Sequence, residues 1–225
     1  MMVQNIKDFE ISYSQEILRK GIHLISLSIP ITYSFVTKEF ALSILIPMTI
    51  LSIIFDFASR KKNKFRLYYH KIFGKMLRPH EYYDVFTLNG ASWVLITAVL
   101  CILVFPKLLM VTGFSILIVS DVSSALIGRR YGKHKLFIGK SWEGTTAFWV
   151  SAFIVIIVIG LAVNAPWTYF LFGFIAAIIG GFAEAIAPII KMDDNITIPV
   201  SIGFVMWGGA LISEIYLLEP FLHCL

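Results

Sequence analysis

Apolar residues run in long blocks separated by polar clusters. The alternation predicts seven membrane-spanning helices, at about residues 21–37, 40–57, 90–106, 108–127, 145–164, 167–188 and 198–218. A hydrocarbon core of about 30 Å takes roughly 20 helical residues to cross, and each block comes close to that length. A membrane β-barrel would instead show alternating segments of about 10 residues, and the sequence has none. Hydrophobic residues make up 58% of the chain and charged residues 15%, with a mean hydropathy of +0.81, so water is not its main solvent. The expected fold class is therefore all-α, a polytopic integral membrane protein. Residues 1–20 are expected to form a cytoplasmic amphipathic segment and residues 21–220 a single transmembrane catalytic domain. Its cytoplasmic loops would lie at about 58–89, 128–144 and 189–197. The first apolar block follows a polar helix and lacks a small-residue cleavage site, so it reads as a retained span rather than a signal peptide. Cys101 and Cys224 are the only cysteines, too few for a disulfide framework.

The basic residues orient these spans. With the N-terminus inside, 17 of the 19 Lys and Arg fall on one side, and only Lys38 and Lys107 fall on the other. Lys and Arg are retained on the cytoplasmic side, so the N-terminus is expected inside and the C-terminus outside. Between spans two and three, Phe65, Tyr68, Tyr69, Ile72, Phe73 and Met76 recur at helical spacing among basic residues. That pattern suits either an interfacial helix on anionic headgroups or a simple positive-inside anchor.

Ionisable groups at membrane depth are costly and need a reason to be there. Asp56, Asp121, Glu143, Glu184, Asp193 and Asp194 all fall toward the predicted cytoplasmic ends of their segments. Asp121, Ala125, Gly128 and Gly132 share one helix face, and Gly173, Ala177, Gly180 and Glu184 repeat that spacing in the sixth span. Small residues let helices pack closely, but packing does not explain an acid on the stripe. A hard cation such as Mg²⁺ does, because it takes carboxylate oxygens together with substrate phosphates. The loop "GRRYGKHKLFIGKSWEG" (128–144) adds four glycines and five cations. It is not a Walker A loop, which would need glycine where His134 stands. A glycine-rich turn leading into a helix N-terminus still suits phosphate, although a plain basic loop is an equal reading.

The string "DVSSALIGRRYGKHKLFIGKSWEGT" resembles the signature of the CTP-dependent lipid-alcohol kinases, the dolichol, yeast-type diacylglycerol and phytol kinases. That family shows an Asp, a small residue four later, two glycines, a basic cluster and then Lys-Ser-x-Glu-Gly. Three further stretches look similar: "EILRKGIHL", the segment holding Asp56, Arg78, Glu81, Asn89 and Gly90, and "EAIAPIIKMDDNITIPV". The resemblance extends over nearly the whole chain. Longer family members carry extra N-terminal spans that this sequence does not show, which leaves the acceptor alcohol open. The related phosphatidate cytidylyltransferases share the Asp, Gly and Lys core, but their C-terminal Lys-Asp and Pro-Gly-His-Gly-Gly blocks are missing here. Kinase is preferred, with a cytidylyltransferase and a small membrane transporter as alternatives.

What the resemblance implies is transfer of the terminal phosphate of CTP, with Mg²⁺, to the hydroxyl of a membrane lipid alcohol. Asp121, Glu143, Glu184, Asp194 and Asn195 would form the catalytic group, with Asp121 and Glu143 as metal ligands. Which acid completes the metal shell and which accepts the hydroxyl proton stays open, and Asn195 would orient one of them. Gly128, Gly132, Lys133, His134, Lys135, Lys140, Ser141 and Gly144 would bind the nucleotide. Glu16, Arg19, Lys20, His23 and Asn89 would line the lipid's entry, although the first four fit an interfacial helix equally well. Trp93 and Trp142 suit an aromatic belt as well as a nucleobase stack. The partners expected are the lipid bilayer, a lipid alcohol and a nucleoside triphosphate, with no nucleic acid. A homodimer stays open. So does the membrane: the cell (inner) membrane in a prokaryote, the endoplasmic reticulum membrane in a eukaryote.

Overall fold

A computed structural model describes residues 13–60, 88–137 and 139–225. Lys7, the interfacial segment at 61–78, Arg78, Glu81 and Ile138 lie outside the described residues, as does most of the predicted loop at 58–89. The described chain is helical apart from one small hairpin. In order it runs α1 (Tyr13–Ile25), α2 (Ser28–Phe35), α3 (Lys38–Arg60), α4 (Gly90–Val104), α5 (Lys107–Tyr131), β1 (Lys135–Phe137), β2 (Lys140–Ser141), α6 (Trp142–Ala162), α7 (Trp167–Ile186) and α8 (Asp194–Ile215).

Five of these helices (α3, α5, α6, α7 and α8) are long and apolar enough to cross a membrane, and α4 is a shorter apolar helix. Large apolar side chains on their outer faces stay exposed, among them Phe40, Val158, Leu161, Phe204 and Ile215. A water-soluble surface avoids so much contiguous apolar area, whereas lipid covers it at no cost. The protein is a polytopic helical membrane protein.

The first predicted span, 21–37, is not one continuous helix. Pro30 has no N–H to offer the Ser26 carbonyl. That carbonyl accepts from the Ile29 N–H instead, and the Ser26 and Leu27 N–H groups likewise bond three residues back, to His23 and Leu24. The tightened turn separates α1 from α2. Other boundaries follow local chemistry. Phe105 is extended because Pro106 follows it. Asn89, Ser141 and Asp193 cap α4, α6 and α8 by accepting the N–H of Ser92, Gly144 and Asn195.

α5 is the central helix and packs against α1, α2, α4, α6 and α8, while α7 closes the bundle against α6 and α8. Its residues Leu108, Leu109, Met110, Phe114, Ile116, Leu117 and Ile118 are fully buried, together with Phe148 of α6, Tyr169 of α7 and Ile202 of α8. At that depth the Thr112 hydroxyl bonds the Tyr169 phenol at 2.9 Å. Half of the sixth-span stripe is packing: a Cβ on Gly180 would meet Ile202 at 2.8 Å. Cys101 and Cys224 are both free thiols.

Candidate active site

The polar residues of the bundle gather at one end, where α5 and α7 finish and α6 and α8 begin. α5 runs out through Gly128 and Gly132 into the hairpin, in which β1 and β2 pair antiparallel with Lys135 opposite Ser141 and Phe137 opposite Lys140. Gly139 makes the turn with φ +76°, a backbone region that favours glycine. The strands return the chain to Ser141, whose side chain accepts the Gly144 N–H at 3.2 Å and starts α6 beside the end of α5. The crossing is very close. A Cβ on Gly132 would lie 2.1 Å from the Gly128 carbonyl oxygen and 2.5 Å from Ser141 Oγ. A Cβ on Gly144 would lie 3.0 Å from the Ser124 carbonyl oxygen. These glycines allow backbone to meet backbone, and so hold the cationic hairpin against the end of α5.

A cavity of about 970 Å³ opens at this junction. Charge reaches it from several segments: Glu16, Arg19 and Lys20 from α1, Asp121 and Arg129 from α5, and Lys135 and Lys140 from the hairpin. Glu184 comes from α7, and Lys191, Asp193 and Asp194 from the α7–α8 connection and the start of α8. Ser124, Ala125, Gly128, Gly132, Ser141 and Gly144 supply its small surfaces, and Leu88, Trp93, Ala187, Pro188 and Met192 its apolar ones.

Within it, acids and bases from different elements are paired. The buried Lys20 ammonium donates to Asp121 Oδ2, and His23 Nε2 lies 3.5 Å from the same oxygen. Arg19 holds Glu16 at 2.6 Å, and Arg129 reaches Glu16 from α5 at 3.3 Å. Burial pushes the Glu16 carboxyl up, but Arg19, Lys20 and Arg129 together hold it below the ordinary glutamate range. Lys140 donates to Glu184 Oε1, and the Ser124 hydroxyl donates to the same oxygen at 3.1 Å. Burial works against the Lys140 charge, but Glu184, Asp194 and Asp121 outweigh it and keep the ammonium above the ordinary lysine range.

Several residues named from sequence lie elsewhere. Glu143 does not line the cavity; its carboxylate accepts the His134 backbone N–H at 3.2 Å and meets His134 Nδ1 at 2.7 Å. Lys133 and His134 are exposed on the outside of the hairpin. Asn89 donates through its side chain to Asp56, and its backbone N–H reaches Asp56 at 2.9 Å, tying α4 to α3. Asn195 does orient an acid, but it is Asp193, reached at 2.6 Å through the side-chain amide. Trp93 faces the cavity, whereas Trp142 is exposed and does not.

Sequence reasoning did not single out Ser124, Arg129, Lys191 or Asp193 as site residues. Asp193 was accessible in principle, since an acid directly before an apolar helical run is a capping signal. Ser124 was not, because a serine one turn beyond an aspartate carries no chemical signature of its own.

Among the described residues no group of three or more His, Cys, Asp or Glu forms a metal cage. A magnesium ion that keeps waters and substrate phosphates needs only one or two carboxylates. Asp121 and Asp194, both on the cavity wall, fit that lesser demand. Glu143, held by His134 outside the cavity, does not share it.

No family model matches the chain, and no solved structure does. CTP-dependent diacylglycerol kinase 1 of Schizosaccharomyces pombe is 29% identical over 147 residues, covering 59% of this chain and 64% of that protein. Phytol kinase of Synechocystis is 28% identical over 108 residues, covering 44% of this chain and 43% of that protein. The chain thus spans less than two thirds of either named kinase. The protein of Rickettsia prowazekii described as uncharacterized protein RP860 is 30% identical over 183 residues, 81% of this chain and 89% of that protein. With that identity sustained along almost all of the Rickettsia protein, the chain belongs to the same family as RP860.

Proposed function

We propose that this protein is a lipid kinase that transfers the terminal phosphate of CTP to the hydroxyl of a membrane lipid alcohol, with Mg²⁺, at the cytoplasmic face. The observation that carries this reading is the single cavity in which Asp121, Glu184 and Asp194 stand opposite Lys135, Lys140 and Arg129. Phosphoryl transfer asks for positioning and charge neutralisation more than for covalent chemistry, and such a cavity offers both. CTP rather than another nucleotide rests on similarity to the diacylglycerol kinase that carries CTP in its name. The lipid alcohol rests on that enzyme and on phytol kinase.

In this reading Lys135 and Lys140 neutralise the triphosphate, and the tight Gly128–Gly132–Gly144 crossing keeps them in register with α5. Asp121, with Asp194, would hold a magnesium ion together with the triphosphate, and the ion would supply charge neutralisation there. Lys20 balances the Asp121 charge inside the bundle. The apolar side of the cavity, Leu88, Trp93, Pro188 and Met192, receives the first carbons of the lipid. An N-terminus inside and a C-terminus outside put this end of the bundle in the cytoplasm, in agreement with its basic loops.

Purified protein incubated with each nucleoside triphosphate and a panel of diacylglycerol, polyprenol and phytol-like alcohols tests the reading by product mass. The expected product is one lipid monophosphate, formed best with CTP and abolished by a chelator. A CDP-lipid formed from phosphatidate would establish the cytidylyltransferase instead. No product from any pair would refute an enzyme of this class.

A further inference from the structure

Glu184 differs from four of the acids in and around the site. Asp121 is bonded by Lys20, Glu16 by two arginines, Glu143 by His134, and Asp193 by the first turn of α8. Glu184 is completely buried, and its two oxygens differ. Oε1 accepts from both Ser124 and Lys140, while Oε2, equally buried, has no hydrogen-bond partner among the described residues. Buried polar atoms are usually paired, and one that is not calls for an explanation; of the buried unpaired side-chain atoms among the described residues, Glu184 Oε2 is the one that belongs to a cavity-lining residue. Its depth is informative too. Glu184 lies in the last turn of α7, two residues before the helix ends at Ile186, on the wall of the charged cavity. That is where a spanning helix meets the headgroup layer and where the hydroxyl of a membrane alcohol resides.

We propose that Glu184 Oε2 is the atom that takes the proton of the acceptor hydroxyl, and that Ser124 and Lys140 position it by fixing Oε1. The inference rests on the kinase reading above. In the step, the acceptor O–H bond breaks, and its electron pair stays on oxygen as the proton passes to Oε2. That oxygen bonds the γ-phosphorus while the bond from γ-phosphorus to the β–γ bridging oxygen breaks, its pair leaving with CDP. The glutamic acid returns its proton to water after the products depart. Lys140 serves both partners, since the ammonium that fixes Oε1 is also the one offered to the triphosphate. The charged groups acting on Glu184 are Lys140 of the hairpin, Asp121 of α5 and Asp194 of α8.

The test compares wild type, Glu184→Gln and Ser124→Ala in lipid phosphorylation and in thermal stabilisation by Mg²⁺–CTP in detergent. Gln keeps the size and an acceptor for Ser124 and Lys140 but cannot take a proton. The expected result is a fall in kcat of about 100-fold or more, the scale of general-base catalysis, with KM for CTP and the thermal stabilisation unchanged. A kcat within about tenfold of wild type overturns the assignment. So does a loss of kcat matched by loss of CTP stabilisation, which would place Glu184 in nucleotide binding. Should Glu184→Gln fail to fold, Ser124→Ala decides. Removing a donor from the carboxylate raises its proton affinity, so the acidic limb of the kcat–pH profile moves to higher pH. An unmoved limb overturns the proposal. Wild type inactive on every alcohol removes the kinase reading itself, an outcome distinct from an active wild type with an equally active Glu184→Gln.

Discussion

Lys20 and Asp121 are both buried and come from helices a hundred residues apart in sequence. Neither charge would be tolerated alone at that depth, and breaking a buried pair from one side costs about 3–5 kcal/mol. Lys20→Met and Asp121→Asn should each lower the thermal midpoint in detergent, and the double variant should recover most of the loss. Turnover should behave differently, vanishing with Asp121→Asn and staying absent in the double variant, because Asp194 alone does not hold the loaded phosphates in place. Restored turnover in the double variant would show that Asp121 is structural. The acid itself was legible from sequence, as a lone aspartate within an apolar run with small residues at helical spacing. Its partner was not. Lys20 reads as a solvated residue of an amphipathic helix, and only the packing of α1 on α5 brings the two together. Glu143 shows the converse: its motif position suggests a metal ligand, yet the local hairpin turns its carboxylate toward His134.

Local chemistry decides several helix boundaries, with Asn89, Ser141 and Asp193 as caps and Pro106 and Pro166 directly before helices, and of these the start near Ser141 was the one read from the sequence. The break between α1 and α2 was missed because hydropathy counts apolar residues and not carbonyl partners, and Pro30 changes only the latter. The basic loop at 128–144 read as an irregular segment. Its two short strands depend on Gly139 in the turn and on a crossing that fits only where Gly132 stands. α1 is secured to α5 chiefly by charge, with Glu16 between Arg19 and Arg129. The Glu16 carboxyl lies below its unfolded value of about 4.5. Its contribution is therefore complete above that pH and is lost as the pH falls through the lowered folded value. Hydrogen exchange in α1 should accelerate as pH drops below the ordinary carboxylate range, after correction for intrinsic exchange, and Glu16→Gln should show the faster exchange already at neutral pH. Equal protection of α1 in the variant and the wild type at neutral pH would mean that apolar packing alone holds the helix.

At the scale of the whole molecule, one end of an apolar bundle carries a cavity in which three stretches distant in sequence, 16–20, 121–140 and 184–194, place opposite charges around one space. The polytopic architecture follows from composition and block length alone, since lipid permits few alternatives. The cavity does not, because it depends on how α1, α5, α7 and the start of α8 converge, and hydropathy says nothing of convergence. In the proposed reading, this gathering of acids and cations serves a phosphorylated ligand. The most direct measurement uses purified protein, Mg²⁺, a lipid alcohol and CTP labelled on either the γ- or the α-phosphorus. A kinase moves the γ-label to the lipid and leaves the α-label in CDP, with one CDP formed per lipid phosphate. Appearance of the α-label in the lipid, or of neither label, would contradict the account.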